Sequence, residues 1–204
     1  MRRHELALSA LVLVTVLVCT SGCLGGASAP ARFYTLAPLA ALQTEADPGG
    51  AGRGAAVVLG PVTMPGYLDR IQIVTRRGRD EIEIGEFDLW SDPLRDGATR
   101  VLGENLAALL RENRVSVLPR RGSQPVKYAV AVDVARFEGV GGGDVALEAS
   151  WRIVGGDGKE LTVRRSTFSE KTGAPGYGAL VAAMSRALEA LSRDIATAIS
   201  DLPR

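Results

Sequence analysis

The chain has 204 residues, which is enough for one ordinary domain and too few for two. Its 24 basic and 23 acidic side chains argue against a nucleic-acid-binding protein, because such proteins carry a basic excess or a basic face. The single His and both Cys lie at or before position 23. A chain cleaved near that point lacks the residues of Ser-His-Asp and Cys-His catalysis and of Cys/His zinc sites. We therefore expect no enzyme activity, no metal and no cofactor.

The N-terminus has the pattern of a secretory signal. Arg2 and Arg3 precede an apolar run at 6–19, which is shorter than the roughly 20 residues that a membrane-spanning helix needs. Small residues then lead to Cys23, an arrangement that resembles the bacterial lipobox, in which this Cys is acylated before cleavage. We expect a lipoprotein signal peptide at 1–22, a lipidated flexible tether at 23–31 and a folded domain at 32–204. The alternative is an ordinary signal peptide cut near 27–31.

Acylation of Cys23 would hold the mature protein on a membrane. Acyl chains such as palmitate bind at about 0.8 kcal/mol per buried methylene, and two or three chains hold a protein stably. Leu24 stands where, in enteric bacteria, Asp retains a lipoprotein in the inner membrane. The predicted location is therefore the outer membrane, with the domain facing the periplasm.

The first half of the domain alternates short strands with one helix. Strands are predicted at 33–36, 56–62, 71–75 and 81–85, with a turn at 77–80. Residues 37–54, rich in Ala, Gly and Pro, are predicted to form a loop. Apolar residues at helical spacing predict a helix from Leu94 to Leu110, capped by Ser91 or Asp92, with Pro93 in its first turn.

The second half has the pattern of a β meander followed by a helix. A short strand is predicted at 115–118, and alternating segments follow at 128–135, 145–153 and 161–168. Glycine-rich turns at 139–144 and 155–159 separate them. Apolar residues from Leu180 to Ile199 recur at helical spacing. The sequence therefore predicts a single α+β domain in which two amphipathic helices pack on one face of a mainly antiparallel sheet.

Two segments could carry acid/base or phosphate chemistry. Glu81 and Glu83 alternate with Ile82 and Ile84, so the carboxylates form either a hard-cation or acid/base site, or a solvated face opposite a buried Ile pair. We favour the solvated face. The glycines at 139–143 belong to no GxxxxGK[ST] motif, so we expect a hairpin turn there.

The segment from Pro65 to Arg70 is the candidate contact site. A Pro-Gly turn places Tyr67 and Leu68 beside the charged pair Asp69 and Arg70, between two predicted strands. Aromatic residues on loops often anchor a partner. A crossover that buries Tyr67 and Leu68 in the core explains the same pattern, and both interpretations stay open.

Three segments carry a family resemblance: FYTLAP at 33–38, LGPVTMPGYLDRIQIVTR at 59–76 and EFDLWSDPLRDGATRVLGENLAALL at 86–110. They are similar to the PqiC family, also described as the ABC-type transport auxiliary lipoprotein component. The P-x-Y-L-D-R and W-x-x-P-L patterns are the specific parts. The chain departs from the family at Ile71, where Pro is common, which affects the local turn.

The resemblance implies a non-enzymatic, lipid-anchored subunit of an envelope lipid-transport system that maintains membrane integrity. Its implied partners are an MCE-domain periplasmic protein, the membrane through Cys23 and further copies of itself as a homo-oligomer; nucleic acid is not among them. By motif position it implies partner-contact or structural roles for seven residues: Tyr67, Leu68, Asp69, Arg70, Trp90, Pro93 and Leu94. The alternative is a structural or assembly lipoprotein of the envelope without a direct role in lipid transport.

Overall fold

A computed structural model describes residues 29–39, 56–110, 114–117, 126–141 and 143–202. The predicted signal peptide, Cys23 and most of the predicted tether lie outside these residues, as does most of the predicted loop at 37–54. The chain from Ala31 onward forms one compact unit. No helix in these ranges is long and apolar enough to cross a membrane.

Each predicted helix and strand is present, with some boundaries shifted. Within the described ranges the elements are β1 (Arg32–Tyr34), β2 (Ala56–Thr63), β3 (Gln72–Arg76), β4 (Ile82–Trp90), α1 (Leu94–Leu109), β5 (Arg114–Val117), β6 (Tyr128–Val140), β7 (Asp144–Gly155), β8 (Glu160–Lys171) and α2 (Tyr177–Ser200). The α+β class is therefore confirmed. The largest boundary changes are at the ends of β4 and β6, which continue five residues past their predicted ends to Trp90 and Val140, and the pairing of β4 with β3 contains an irregularity.

The sheet is organised around β6, because this strand pairs with three others. One edge pairs antiparallel with β7, which in turn pairs antiparallel with β8. The other edge is shared between β2, which lies parallel to the first half of β6, and β3, which lies parallel to its last residues. β5 extends the β2 branch, and β4 and β1 extend the β3 branch.

The longest ladders are antiparallel, as predicted, and four shorter pairings described in the sheet are parallel: β1–β4, β2–β5, β2–β6 and β3–β6. The sequence analysis did not predict these parallel pairings. They join segments that are far apart along the chain.

The two helices pack against each other and against one face of the sheet, which confirms the predicted arrangement. Trp151 of β7 identifies this face, because its indole N–H donates to the Ser166 hydroxyl at 2.9 Å and the Ser166 hydroxyl donates to Asp194 of α2. Asn105 of α1 is fully buried and donates to the Ser192 hydroxyl of α2 at 3.1 Å. The apolar stripe predicted for α2 is buried as one side of this core.

The predicted cap of α1 is wrong. Pro93 occupies the N-cap position, and no side chain caps the helix. The Pro93 carbonyl accepts the amide N–H groups of Asp96 and Gly97 at 2.9 and 3.0 Å. Backbone acceptance therefore replaces the side-chain cap expected from Ser91 or Asp92, and Pro93 lies before the first turn rather than in it.

The predicted buried pair of Ile82 and Ile84 is also wrong. These side chains are 38% and 44% exposed, and Glu81 and Glu83 are exposed as well. Neither helix packs extensively against β4, so no second layer in the described part of the chain covers its first half. Alternation correctly predicts two faces of this strand, but both faces reach solvent.

We predict opposite effects of adding a methyl group at two glycines. A Cβ on Gly156 would lie 2.3 Å from the Val126 carbonyl oxygen, whereas a Cβ on Gly178 in α2 meets nothing within 4 Å. Gly156→Ala should therefore lower the free energy of unfolding by about 1–3 kcal/mol. Gly178→Ala should raise it by up to about 1 kcal/mol, because Ala favours helix. Urea midpoints at unchanged slope measure both, and equal shifts would contradict the described packing.

Candidate partner-binding site

The Pro65–Ile71 loop, which joins β2 to β3, is a compact pair of turns. The Leu68 amide donates to the Pro65 carbonyl at 3.0 Å, and the Asp69 amide donates to the Gly66 carbonyl at 3.3 Å. Within the loop, Leu68 is 1% exposed and belongs to the core, and Tyr67 is half-buried and packs against it. The turn therefore directs Leu68 into the core, while the hydroxyl of the neighbouring Tyr67 contacts a polar network that includes Arg76.

The structure brings the P-x-Y-L-D-R and W-x-x-P-L segments together. The Trp90 amide donates to the Ile71 carbonyl at 2.6 Å, directly after the loop. The Asp69 carboxylate forms an ion pair at 3.0 Å with Arg95, which follows Leu94 in the first turn of α1. The two motifs, separated in sequence by about 20 residues, are therefore one junction between the loop, β4 and α1.

The seven motif residues divide by burial. Leu68, Trp90 and Leu94 are core residues, each at most 2% exposed. Pro93 and Asp69 are exposed, and Asp69 is held by Arg95. Arg70 is half-buried, and its Nε is buried without a hydrogen-bond partner in the described part of the chain. Arg70 and Pro93 are thus the motif residues that are at least partly exposed and form no side-chain hydrogen bond or ion pair in this part of the chain.

Tyr67 leads into a buried charged network that the sequence analysis missed. Glu138 of β6 is fully buried, and its carboxylate contacts Arg76 Nε at 2.5 Å and Arg136 Nε at 3.6 Å. Arg76 also donates to the Tyr67 hydroxyl at 3.4 Å and lies over the Tyr67 ring, 5.7 Å from its centroid. Burial raises the pKa of Tyr67, and the neighbouring Glu138 adds to this effect. The loop is therefore fixed to the sheet by a charge inside the fold.

A second buried carboxylate fixes β1 to β4. Asp88, 6% exposed, accepts from the Tyr34 hydroxyl at 2.8 Å and from Arg32 Nη2 at 3.0 Å. Burial raises the pKa of Tyr34, and the hydrogen bond to Asp88 raises it further. The ring of Tyr177 at the start of α2 lies 6.3 Å from the Tyr34 ring. The signal that could have identified this site is the polar Asp88 at an inward position of the E-F-D-L-W alternation.

The remaining candidates are the carboxylates at 81 and 83 and the glycines at 139–143. Glu81 and Glu83 are exposed and share one cation, Arg77, at 3.7 and 3.0 Å. Among the described residues, no group of three or more His, Cys, Asp or Glu side chains could hold a metal. Gly141, at φ +58°, and Gly143 lie in the predicted turn between β6 and β7, whereas Gly139 belongs to β6.

A cleft of about 480 Å³ opens beside this turn. Leu180, Val140 and Pro175 supply apolar lining, and Thr75 and Thr172 are at its polar side. Its carboxylates are already paired, Glu83 with Arg77 and Asp144 with Lys171. The cleft has room for a ligand, but because its carboxylates are paired with cations, its charged groups do not favour a ligand of either charge.

The chain is similar to one protein family and to solved structures of the same fold. Residues 34–196 match the model of the family described as ABC-type transport auxiliary lipoprotein component. The crystal structure of an uncharacterized protein matches with a TM-score of 0.71 and 20% identity, covering 84% of this chain and 99% of that chain. Protein XCC0632 from Xanthomonas campestris, of the family DUF330, matches with a TM-score of 0.66 and 16% identity over 81% and 93% of the two chains. No curated protein matches significantly.

We predict that breaking the network at Arg76 is costly. Arg76→Met leaves the buried Glu138 with only the more distant Arg136, so the free energy of unfolding should fall by about 3 kcal/mol. The double variant Arg76→Met/Glu138→Met should recover most of this loss, because it removes the unpaired charge. As a control, Arg193→Met on the exposed pair with Glu189 should change stability by less than about 0.5 kcal/mol. A double variant as unstable as the single one would contradict the account.

We also predict a loss of stability at alkaline pH. Because burial raises the pKa of Tyr67 in the folded state, the protonated phenol stabilises the fold fully below the unfolded pKa of about 10. This contribution is lost as pH rises through the folded pKa. Chemical denaturation between pH 8 and pH 11 should show that the free energy of unfolding falls less steeply with pH for Tyr67→Phe than for the wild type. Identical slopes for the two proteins would refute this linkage.

Proposed function

Because the chain belongs to the ABC-type transport auxiliary lipoprotein family, we propose that it is a lipid-anchored docking subunit of an ABC-type transport system in the cell envelope. The observation that carries the proposal is the family match over 34–196, which spans nearly all of the described fold. The proposed subunit binds other proteins and performs no chemistry, with ATP hydrolysed elsewhere in the system. The sequence supports this role, because its only His is at position 4.

The proposed anchor is acylated Cys23, after removal of residues 1–22. Two sequence features support this anchor: the apolar run at 6–19 and the small residues before Cys23. The proposed tether, 23–31, enters the fold at β1, so its reach is about 30 Å when fully extended. The domain would therefore stay close to the bilayer, which we propose is the periplasmic side of the outer membrane.

The proposed partner is an MCE-domain periplasmic protein, and the proposed cargo is lipid. Within the junction of the two motifs, Arg70 is the residue best placed to bind this partner. Arg70 is half-buried and forms no ion pair in the described part of the chain, so the terminal nitrogens of its guanidinium, rather than the buried Nε, would donate to a carboxylate or carbonyl of a partner. The proposed role of the buried motif residues, Leu68, Trp90 and Leu94, is to hold this junction in place.

Two variants test the anchor and the partner separately. Cys23→Ser should abolish acylation, seen by mass spectrometry of the mature N-terminus, and should move the protein from the membrane fraction to the periplasmic fraction. Arg70→Ala should lower recovery of the MCE-domain protein in a pull-down about tenfold, because a charged hydrogen bond is lost. Arg79→Ala, an exposed arginine outside the motifs, is the matched control.

A deletion strain decides between transport and a structural role. Altered outer-membrane permeability or lipid asymmetry, complemented by the wild type and poorly by Arg70→Ala, supports the proposal. A morphology defect with normal lipids indicates the structural alternative. An unacylated mature start downstream of Cys23 would refute the proposed anchor.

A further inference from the structure

The face of β1 and β4 that points away from the helices carries exposed apolar side chains and one acid. A Cβ on Gly85 would meet the hydroxyl of Tyr177 in α2, and Asp88 contacts Tyr34 beside the same ring, so both residues face the helices. The alternating and bulged residues around them therefore face outward. This set, the acidic apolar patch, consists of Phe33, Ile82, Ile84, Glu86, Phe87 and Leu89.

The acidic apolar patch is not an extension of the core. Phe33 is 61% exposed, and neither Phe87 nor Leu89 packs against the core cluster. Glu86 is exposed and has no hydrogen bond or ion pair within the described ranges. This surface, with apolar side chains around an unpaired carboxylate, is complementary to a partner that presents apolar residues and a cation.

The same sheet carries a complementary set at its other end. Arg164 and Ser166 of β8 face the helices, because each contacts Asp194 of α2. Val163 and Arg165 therefore point to the opposite face, together with Leu161 and with Arg152, which is paired in register with Val163. These four residues are the basic apolar patch. Val163 is 62% exposed, and both arginines are exposed without a hydrogen bond or ion pair among the described residues.

We propose that the acidic apolar patch of one copy binds the basic apolar patch of a second copy. The two patches lie toward opposite ends of the order β1-β4-β3-β6-β7-β8, three to five strand spacings apart, or about 14–24 Å. They therefore meet only between molecules. Because the surfaces differ, the contact is head-to-tail, and each copy keeps one free patch for the next.

Charge selects this occupant over a lipid surface. An unpaired carboxylate among apolar side chains disfavours contact with an anionic bilayer, whereas Arg152 and Arg165 of a second copy neutralise it. Among the described strands β8 pairs only with β7, so its other edge, next to the basic apolar patch, can add backbone contacts to the same interface. The inference rests on the homo-oligomer that the family resemblance implies, and it names the surfaces that form it.

Charge exchange in the full-length, detergent-solubilised protein tests the contact. Glu86→Arg alone and Arg152→Glu/Arg165→Glu alone should each raise the dissociation constant for self-association at least tenfold, measured by mass photometry and sedimentation velocity. An equimolar mixture of these two variants should reassemble to within threefold of the wild type, because each altered patch now complements the other. Glu104→Arg on α1 is the matched control and should leave assembly unchanged. Val163→Thr replaces one β-branched residue by another, so the strand is preserved. This variant should weaken assembly without any change of charge.

The contact would be overturned by a monomeric wild type at tens of micromolar, by wild-type assembly of Glu86→Arg, or by no reassembly in the mixture. Loss of binding to phosphatidylglycerol vesicles by Phe33→Ser, with assembly intact, would assign the patch to the bilayer and also overturn it. The proposed function fails separately. If the wild-type protein self-associates but deletion of its gene leaves transport normal, the proposed function is refuted and this inference stands. If a monomeric variant restores transport in the deletion strain, this inference is refuted and the proposed function stands.

Discussion

The fold depends on β6, whose backbone is paired along both edges. Buried N–H and C=O groups need partners, and β6 finds them in β7 on one side and in β2 and β3 on the other. Because β2 and β3 share one edge, the sheet forks there into the β2 branch and the β3 branch. The helices cover one face of this sheet. The opposite face is covered at Glu138, where Arg76 and the loop carrying Tyr67 lie, and it stays exposed on parts of β1, β4 and β8, where we propose the binding surfaces.

Two buried carboxylates hold the β3 branch in position. Glu138 binds Arg76 and lies close to Tyr67, and Asp88 binds Tyr34 and Arg32. Each links segments that are more than 50 residues apart in the chain. A buried ion pair adds little net stability but costs much when one partner is lost. These sites therefore specify where the loop and the edge strand lie rather than how stable the domain is.

The helices and the meander could be predicted because their signals are local. Leu180 to Ile199 repeats with helical spacing, and β6 and β7 alternate with a period of two, so one face of each had to be buried. The parallel pairings could not be predicted, because β1 meets β4 and β3 meets β6 only through the tertiary fold. Alternation at Ile82 and Ile84 marks two strand faces but not which face a second layer covers. The missed side-chain network at Glu138 likewise depends on a partner distant in sequence.

Hydroxyl-radical footprinting of the full-length protein tests most directly whether the uncovered sheet face is the binding face. The protein would be labelled above and below its association concentration, and side-chain oxidation would be read by mass spectrometry. The account predicts that Phe33, Phe87 and Val163 lose reactivity together on association, while Met64, which is half-buried outside both patches, does not change. Association that leaves Phe33 and Val163 as reactive as in the dissociated protein would contradict it.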